Sequence, residues 1–537
     1  MNIFGSIMGE TTPTVLENGV LFVGSERFRS ICFVHQSGAT SIAQGYEYDD
    51  QLTIERRKLE VAKQIPSPAS THSVPLEDIA RAYGKSGTDT NATLNVADVA
   101  TSASQKLLKL IEDAARARAS DVKIFQHDDK TIIRAKIAGR AQSFGAPWTP
   151  EEGLTALTYA FDARDEGGGH TTMQATVLQS FSISTKPNFP LPANVVKLRG
   201  QKGYQESDVR LGQHMVFRLF YSDDDPVAGD LDDLGFDDEV YSALASERES
   251  DQGCVIVGGS TGDGKSTTLI RMIDRLAEER DGCIDIVTVE DPVEYRSKSE
   301  CVMQIPVKSS GDGADRQAEY RGTLMHAMRI NPDVCVVSEI RDTHGAKEVL
   351  QFVASGHKVY TTIHVASANK ILFRLIELGV PPAELAGSGD ISLLMKQSLV
   401  PLLCKSCSLP NTQEAVQRSV RHLGFGLEGG LMSRNPQGCP ECLSKYATEK
   451  GKTAWAGYER MAAVGEVIRP DDAYFEFVAK HDEAGARRHW LKAANQGGLG
   501  GTTLSAKLEL LMTSGRIDIA DAIRVGLQPA QKMAAVG

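Results

Sequence analysis

Long apolar runs are what this sequence most plainly lacks. Its most apolar stretch, ISLLMKQSLVPLL, is broken by Lys396 and falls short of the ~20 residues that span a bilayer. The opening MNIFGSIMGETTP lacks the basic start and long apolar core of a secretory leader, so a cytosolic location is expected. Positive charge is not in excess either. The net charge is −12, which argues against nucleic acid as the main partner, because such proteins usually show a basic patch or stripe. No repeat of fixed period is present. What is there is ordinary globular composition, 41% hydrophobic and 24% charged, over 537 residues, which suits about three domains rather than one core.

Short apolar runs, GVLFVG and SICFV, suggest a small β-rich unit over residues 1–62. KQIPSPASTHSVP is rich in Pro and Ser, and residues 63–96 read as a linker. VATSASQKLLKLIEDAARARA spaces apolar residues three and four apart. With the strand-like DVKIF and TIIRAKIAG it predicts an α+β domain over 97–221. The acidic SDDDPVAGDLDDLGFDDE reads as a solvated connection, 222–240. From 241 onward CVIVGG, CIDIVTVED, DVCVVSE and KVYTTIH alternate with helical segments. That alternation predicts an α/β domain with a parallel sheet covered on both faces.

GGSTGDGKS fits G-x-x-x-x-G-K-[ST]. Gly259, Gly264, Lys265 and Ser266 are the fixed positions, Ser260, Thr261, Gly262 and Asp263 lie between, and Thr267 follows. The glycines let successive N–H groups turn inward toward phosphate oxygens, and the helix that follows adds the positive end of its dipole. Lys265 is then expected on the β- and γ-phosphates and the Ser266 hydroxyl on Mg²⁺. A chance glycine-rich turn would not need the strand before and the helix after, and both are there. No guanine-specifying NKxD is found, which favours ATP over GTP.

Hydrolysis also needs an acid for the metal and a group that orients water. VTVEDPVEY offers Glu290, Asp291 and Glu294 after one strand, and VCVVSEIRD offers Glu339 at the end of another. Either alone reads as a solvated helix cap. Two such sites downstream of a P-loop, at the strand edge where α/β sheets bind ligands, read as catalytic acids. His364 ends a further strand and is either a satisfied histidine or a γ-phosphate sensor.

These boxes, in this order, resemble the secretion ATPases that drive type II secretion and type IV pilus assembly. The likeness covers the Walker A loop (259–266), the acidic box VTVEDPVEY, the Walker B region MRINPDVCVVSEIRD and the histidine box SGHKVYTTIHVASA. Upstream, ARASDVKIF and IIRAKIAGR resemble the family's PAS-like domain, and the resemblance runs over roughly 97–527. It implies a RecA-like P-loop ATPase domain preceded by a PAS-like α+β domain and a small N-terminal domain. It also implies a Mg²⁺-dependent homo-hexamer docked on an inner-membrane platform protein. Glu290 would polarise water, Glu339 would be the acid on the Mg²⁺ side, and Arg199 and Arg210 are the best matches to γ-phosphate arginines. Asp263 departs from the usual Ser, and Lys136 and Ala138 from the usual Arg and Asp. These departures, with an unmatched N-terminus, suggest a divergent branch such as a conjugative thin-pilus system. The competing readings are a DNA-handling conjugation ATPase, a pilus retraction ATPase and a non-hydrolysing scaffold.

Nine cysteines in a reducing compartment call for something other than disulfides. Five are scattered. Cys404, Cys407, Cys439 and Cys442 form C-x₂-C–x₃₁–C-x₂-C, which can close a tetrahedral zinc site; a redox pair or loose thiols are the alternatives. In the resembled family such an insert, here 400–445, accompanies assembly rather than retraction.

Overall fold

The computed structural model describes residues 96–528 apart from 166–172, 175, 207–211, 223–229, 292, 308–313, 388–389, 415–416, 418–429 and 445–453; before residue 96 it describes only short stretches between 14 and 74. The chain divides into two compact units, 1–102 and 103–537. No helix among the described residues is long and apolar enough to cross a membrane.

The first unit holds a five-stranded sheet in the order β1 (Thr14–Val15), β2 (Val20–Phe22), β3 (Cys32–His35), β4 (Ala39–Ala43), β5 (Ser70–Val74). Leu21, Cys32, Val34, Ile42, Leu59 and Ile65 form its core. Strand β5 falls inside the stretch expected to be a linker, and it pairs in parallel with β4. It is mostly exposed, and an edge strand joins a sheet through its backbone without an apolar pattern that sequence could display.

Helix α1 (Val96–Arg116) leads into the second unit. Ala103, Leu107, Leu110, Ile111 and Ala114 recur at helical spacing and are buried. Six antiparallel strands follow: β6 (Ala119–Gln126), β7 (Thr131–Ile137), β8 (Arg140–Ser143), β9 (Gln179–Ser184), β10 (Val195–Gln205) and β11 (Gly212–Tyr221), in the order β8-β7-β6-β11-β10-β9. Helix α2 (Pro150–Asp162) starts at a reciprocal capping box of Thr149 and Glu152, with proline in its first turn, and packs Leu157 and Phe161 into the same core as α1.

The second half of the acidic stretch 222–240 is docked through its apolar residues while most of its acids stay exposed. Leu231 and Phe236 are buried, Arg275 pairs with Asp230 at 3.0 Å and Asp232 at 2.7 Å, and Lys507 pairs with Asp237 at 2.7 Å. Acid-rich composition hides such pairing, because the partners lie tens to hundreds of residues away. Asp237 also caps helix α3 (Asp238–Glu249), which begins inside that stretch.

The last sheet has seven strands in the order β14-β13-β15-β16-β12-β17-β20. These are β12 (Gly253–Gly258), β13 (Ile286–Glu290), β14 (Val302–Pro306), β15 (Val334–Val337), β16 (Lys358–Ile363), β17 (Ile391–Leu403) and β20 (Tyr458–Ile468), while β18 (Leu409–Pro410) and β19 (Met432–Ser433) pair separately. All but β20 run parallel; β20 returns antiparallel against β17. Cys254 and Ile256 of β12 belong to one apolar layer and Val255 and Val257 to the other, so the strand is buried on both faces. The helices α4 (Lys265–Glu279), α5 (Ala314–Arg329) and α6 (Thr343–Ala354) connect the parallel strands.

The six-stranded layer is fastened to the seven-stranded one. Trp455 donates its indole N–H to the Ala117 carbonyl at 3.2 Å. Asp521, fully buried, accepts from Tyr458 OH at 2.6 Å and pairs with Arg140 at 2.9 Å and Arg524 at 3.1 Å. One carboxylate thus satisfies the β7–β8 hairpin, strand β20 and the C-terminal helix together. Removing it leaves three donors without their shared acceptor. Asp521→Ala should lose on the order of 3 kcal/mol, read as a lower melting temperature; an unchanged melting curve would contradict this assignment.

Candidate nucleotide site and metal centre

Strand β12 delivers the chain to the C-terminal edge of the sheet at Gly258, and α4 leaves from Lys265. Between them Gly262 and Gly264 take φ of +86° and +82°, values that suit residues without a Cβ. Ser260, Thr261 and Gly262 form an exposed rim, with Ser266 exposed and Thr267 half-buried behind it. Lys265 is 8% exposed, and its ammonium donates to the Gly259 carbonyl at 2.9 Å and the Ser260 carbonyl at 3.1 Å. Burial lowers its pKa from the usual lysine range, opposed by the charges of Glu339, Asp263 and Glu294.

The acids expected from sequence converge on this loop. Glu339 pairs with His364 Nε2 at 2.8 Å, and His364 Nδ1 lies 3.0 Å from the Gly259 carbonyl, so the histidine bridges acid and loop. Arg341 closes the other side, 2.7 Å from Glu339 and 3.0 Å from Asp291. Glu290 lines a separate small hollow with Ser266, Thr288, Ser338 and Thr362. It accepts from Thr288 Oγ1 at 2.7 Å and Gln304 Nε2 at 2.9 Å. Burial raises its pKa above the usual carboxylate range, and those donors and the Glu294 N–H only partly offset that. The side chains available to a bound cation and to a water molecule therefore sit on two sides of Lys265.

The six-stranded layer contributes basic groups. A Cβ built on Gly262 would lie 3.7 Å from Lys136 Nζ. Arg199 stands on β10 two residues from Lys197, whose ammonium is lowered by burial and feels Asp165, Arg199, Arg296 and Glu294. Arg210 lies outside the described residues. Sequence reading missed Arg341, Lys136 and the β17 residues Lys396, Gln397 and Ser398 beneath the loop. Arg341 stood inside a quoted motif, but its link to Asp291 crosses two strands and leaves no spacing to read.

The four paired cysteines meet as their spacing suggested. Their sulfurs all lie within 4.8 Å of one another. Cys404–Cys439, Cys407–Cys442 and Cys439–Cys442 separations are 3.8, 3.9 and 3.8 Å. A tetrahedral ion with bonds of about 2.3 Å requires sulfurs about 3.8 Å apart, whereas a disulfide requires about 2.05 Å. Backbone N–H groups of Cys439 and Gly457 point at Cys442 Sγ at 3.2 and 3.4 Å. The Cys442 N–H lowers the Cys439 thiol, while burial raises those of Cys404 and Cys407.

Residues 204–500 match the family described as type II/IV secretion system protein. The type II secretion system protein E of Pectobacterium carotovorum subsp. carotovorum is 29% identical over 371 residues, covering 68% of this chain and 64% of that protein. That of Dickeya dadantii is 33% identical over 371 residues, covering 67% and 65%. The type IV pilus assembly ATPase PilB of Thermus thermophilus is 25% identical over 478 residues, covering 84% and 48%. The chain thus spans under two thirds of the length of these relatives. Among solved structures, the ATPase DotB of Legionella pneumophila superposes with a TM-score of 0.53 at 18% identity, covering 81% of this chain and 97% of that one. The shared architecture is the RecA-like P-loop ATPase fold.

Proposed function

The chain belongs to the type II/IV secretion system protein family, and we propose that it is a Mg²⁺-dependent ATPase powering assembly of a type IV pilus or a type II secretion pseudopilus. One observation carries the reading: Lys265 and His364 both meet the Gly259 carbonyl, His364 links it to Glu339, and Glu290 lines a hollow with Ser266. Lys265 exchanges its loop carbonyls for the β- and γ-phosphate oxygens of ATP. Ser266 would hold Mg²⁺ with one of the glutamates, and the ion would neutralise charge on the β- and γ-oxygens. Glu290, whose proton affinity is raised by its buried hollow, orients water; Glu339, paired with Arg341 and His364, serves the metal side. Lys136 approaches the P-loop from the six-stranded layer, and Lys197 and Arg199 stand on the same layer; in this reading they couple the state of the nucleotide to the position of that layer.

The working unit in this reading is a homo-hexamer on the cytoplasmic face of the inner membrane, docked on a platform protein. The N-terminal unit and the cysteine insert are the docking surfaces in this reading, because the motifs of nucleotide chemistry lie outside both in the sequence. A structural Zn²⁺ in Cys404, Cys407, Cys439 and Cys442 anchors the insert.

Lys265→Ala should abolish ATP turnover, and Glu290→Gln and Glu339→Gln should each slow turnover by about 10²-fold or more while ADP still binds. Turnover at the wild-type rate in Lys265→Ala, or in both glutamine variants, contradicts the site. Metal analysis should find one zinc per chain. Cys404→Ser or Cys439→Ser should lose it and lower the melting temperature, since the metal's binding energy is also folding energy there; carefully prepared protein without zinc would refute this. Deleting the gene in its host should give bald cells or block pseudopilus secretion, with no rescue by Lys265→Ala. Over-piliated cells would instead mark a retraction motor, and loss of DNA transfer with pili intact a DNA motor.

A further inference from the structure

The loop expected to hold a triphosphate carries an acid of its own. Asp263 Oδ2 accepts from the Ser260 N–H at 2.7 Å, so the carboxylate straps the loop to itself. An anion in that position opposes an incoming phosphate unless something offsets it. Strand β17 supplies the offset. Lys396 Nζ lies 3.8 Å from the same Asp263 oxygen, and Ser398 Oγ donates to that oxygen at 3.4 Å. Between them Gln397 donates Nε2 to the Asp263 carbonyl at 2.7 Å. Lys396 also donates to Ser398 Oγ. Its side chain is 5% exposed, so burial disfavours its charge, while Asp263 and Glu466 favour it. A lysine buried beneath a loop, next to the loop's one acid, is poorly explained by packing alone, because an apolar side chain would cover the same space without a desolvation cost.

We propose that Lys396 is a positioning residue of the nucleotide site: its ammonium offsets the charge of Asp263 and holds the P-loop in the form that receives phosphate. The pair rests on the nucleotide-binding reading above and makes it more specific. Asp263 fixes the shape of the loop, and Lys396 keeps that acid from repelling the ligand. Lys396 touches no phosphate in this account and acts through Asp263. Glu466 ties the same lysine to the C-terminal region, since its carboxylate accepts the N–H groups of Ala368 and Leu504, each at 2.7 Å.

The test is a calorimetric titration of the full chain with ADP in Mg²⁺ buffer, using wild type, Lys396→Met, Asp263→Ser and the double variant, with a melting curve for each. Lys396→Met should weaken ADP binding about tenfold, because a covered anion then faces the phosphates alone. Asp263→Ser should bind ADP more tightly than wild type. The double variant should return to within about threefold of wild type, a non-additive result that a purely structural lysine does not give. Should Lys396→Met fail to fold, the sign of the change in Asp263→Ser decides: tighter binding supports the pair, and weaker binding overturns it. The pair is also overturned if Lys396→Met binds like wild type, or if the double variant is as weak as Lys396→Met. Absence of ADP binding by wild type would instead refute the nucleotide site itself.

Discussion

A buried ammonium organises the nucleotide end of this protein. Lys265 must leave water to sit where a central strand turns into a helix, and its two backbone carbonyl partners do not cancel a full charge. The acids around it, Glu339, Asp263 and Glu294, supply the rest. Each of those acids then needs partners of its own. Glu339 takes His364 and Arg341, and Asp263 takes Lys396 and the Ser260 N–H. Charge is therefore shared along chains of neighbours, from the loop into β17 on one side and across the ends of β15 and β16 on the other. Adding a polyanion to such a site must redistribute those partners, and that gives the site a means of signalling its state.

The route outward is physical contact between layers. Arg140 and Asp521 join the six-stranded layer to the C-terminal helix, and the same hairpin carries Lys136 to the exposed rim of the P-loop. Lys136 therefore lies between the loop and the hairpin, and Asp521, fully buried, holds the hairpin's far end. Apolar packing joins the layers as well: Leu403, Trp455 and Tyr458 belong to the same buried cluster as Leu107, Val122 and Phe217.

Much of this was legible in the sequence. The P-loop, both acidic boxes and the cysteine quartet have fixed short spacings, and the structure brings each set together. The parallel strands were legible because apolar runs alternate with helical periods. What escaped has physical reasons. Strand β17 is 13 residues long and buried along almost all its length, and its sequence shows no alternation that separates core positions from Lys396, Gln397 and Ser398. Lys396 therefore registered as an interruption, although it is the residue that faces Asp263. Strand β5 is mostly polar and exposed, and Val74 packs against the core of its sheet, too short an apolar signal to read as a strand. The acids at 230–239 are mostly exposed, as their composition suggested, but their pairing with Arg275 and Lys507 was hidden because those partners are remote in sequence. Ion pairs that cross strands, such as Arg341 with Asp291, leave no trace in spacing.

The account turns on Lys265 exchanging partners. A structure of the full chain with Mg²⁺ and a non-hydrolysable ATP analogue tests it most directly. The expected result has the Lys265 ammonium off the Gly259 and Ser260 carbonyls and on the β- and γ-phosphate oxygens, with the phosphates against the N–H groups of the 262–267 turn. A nucleotide bound elsewhere, with Lys265 still on those two carbonyls, would contradict it.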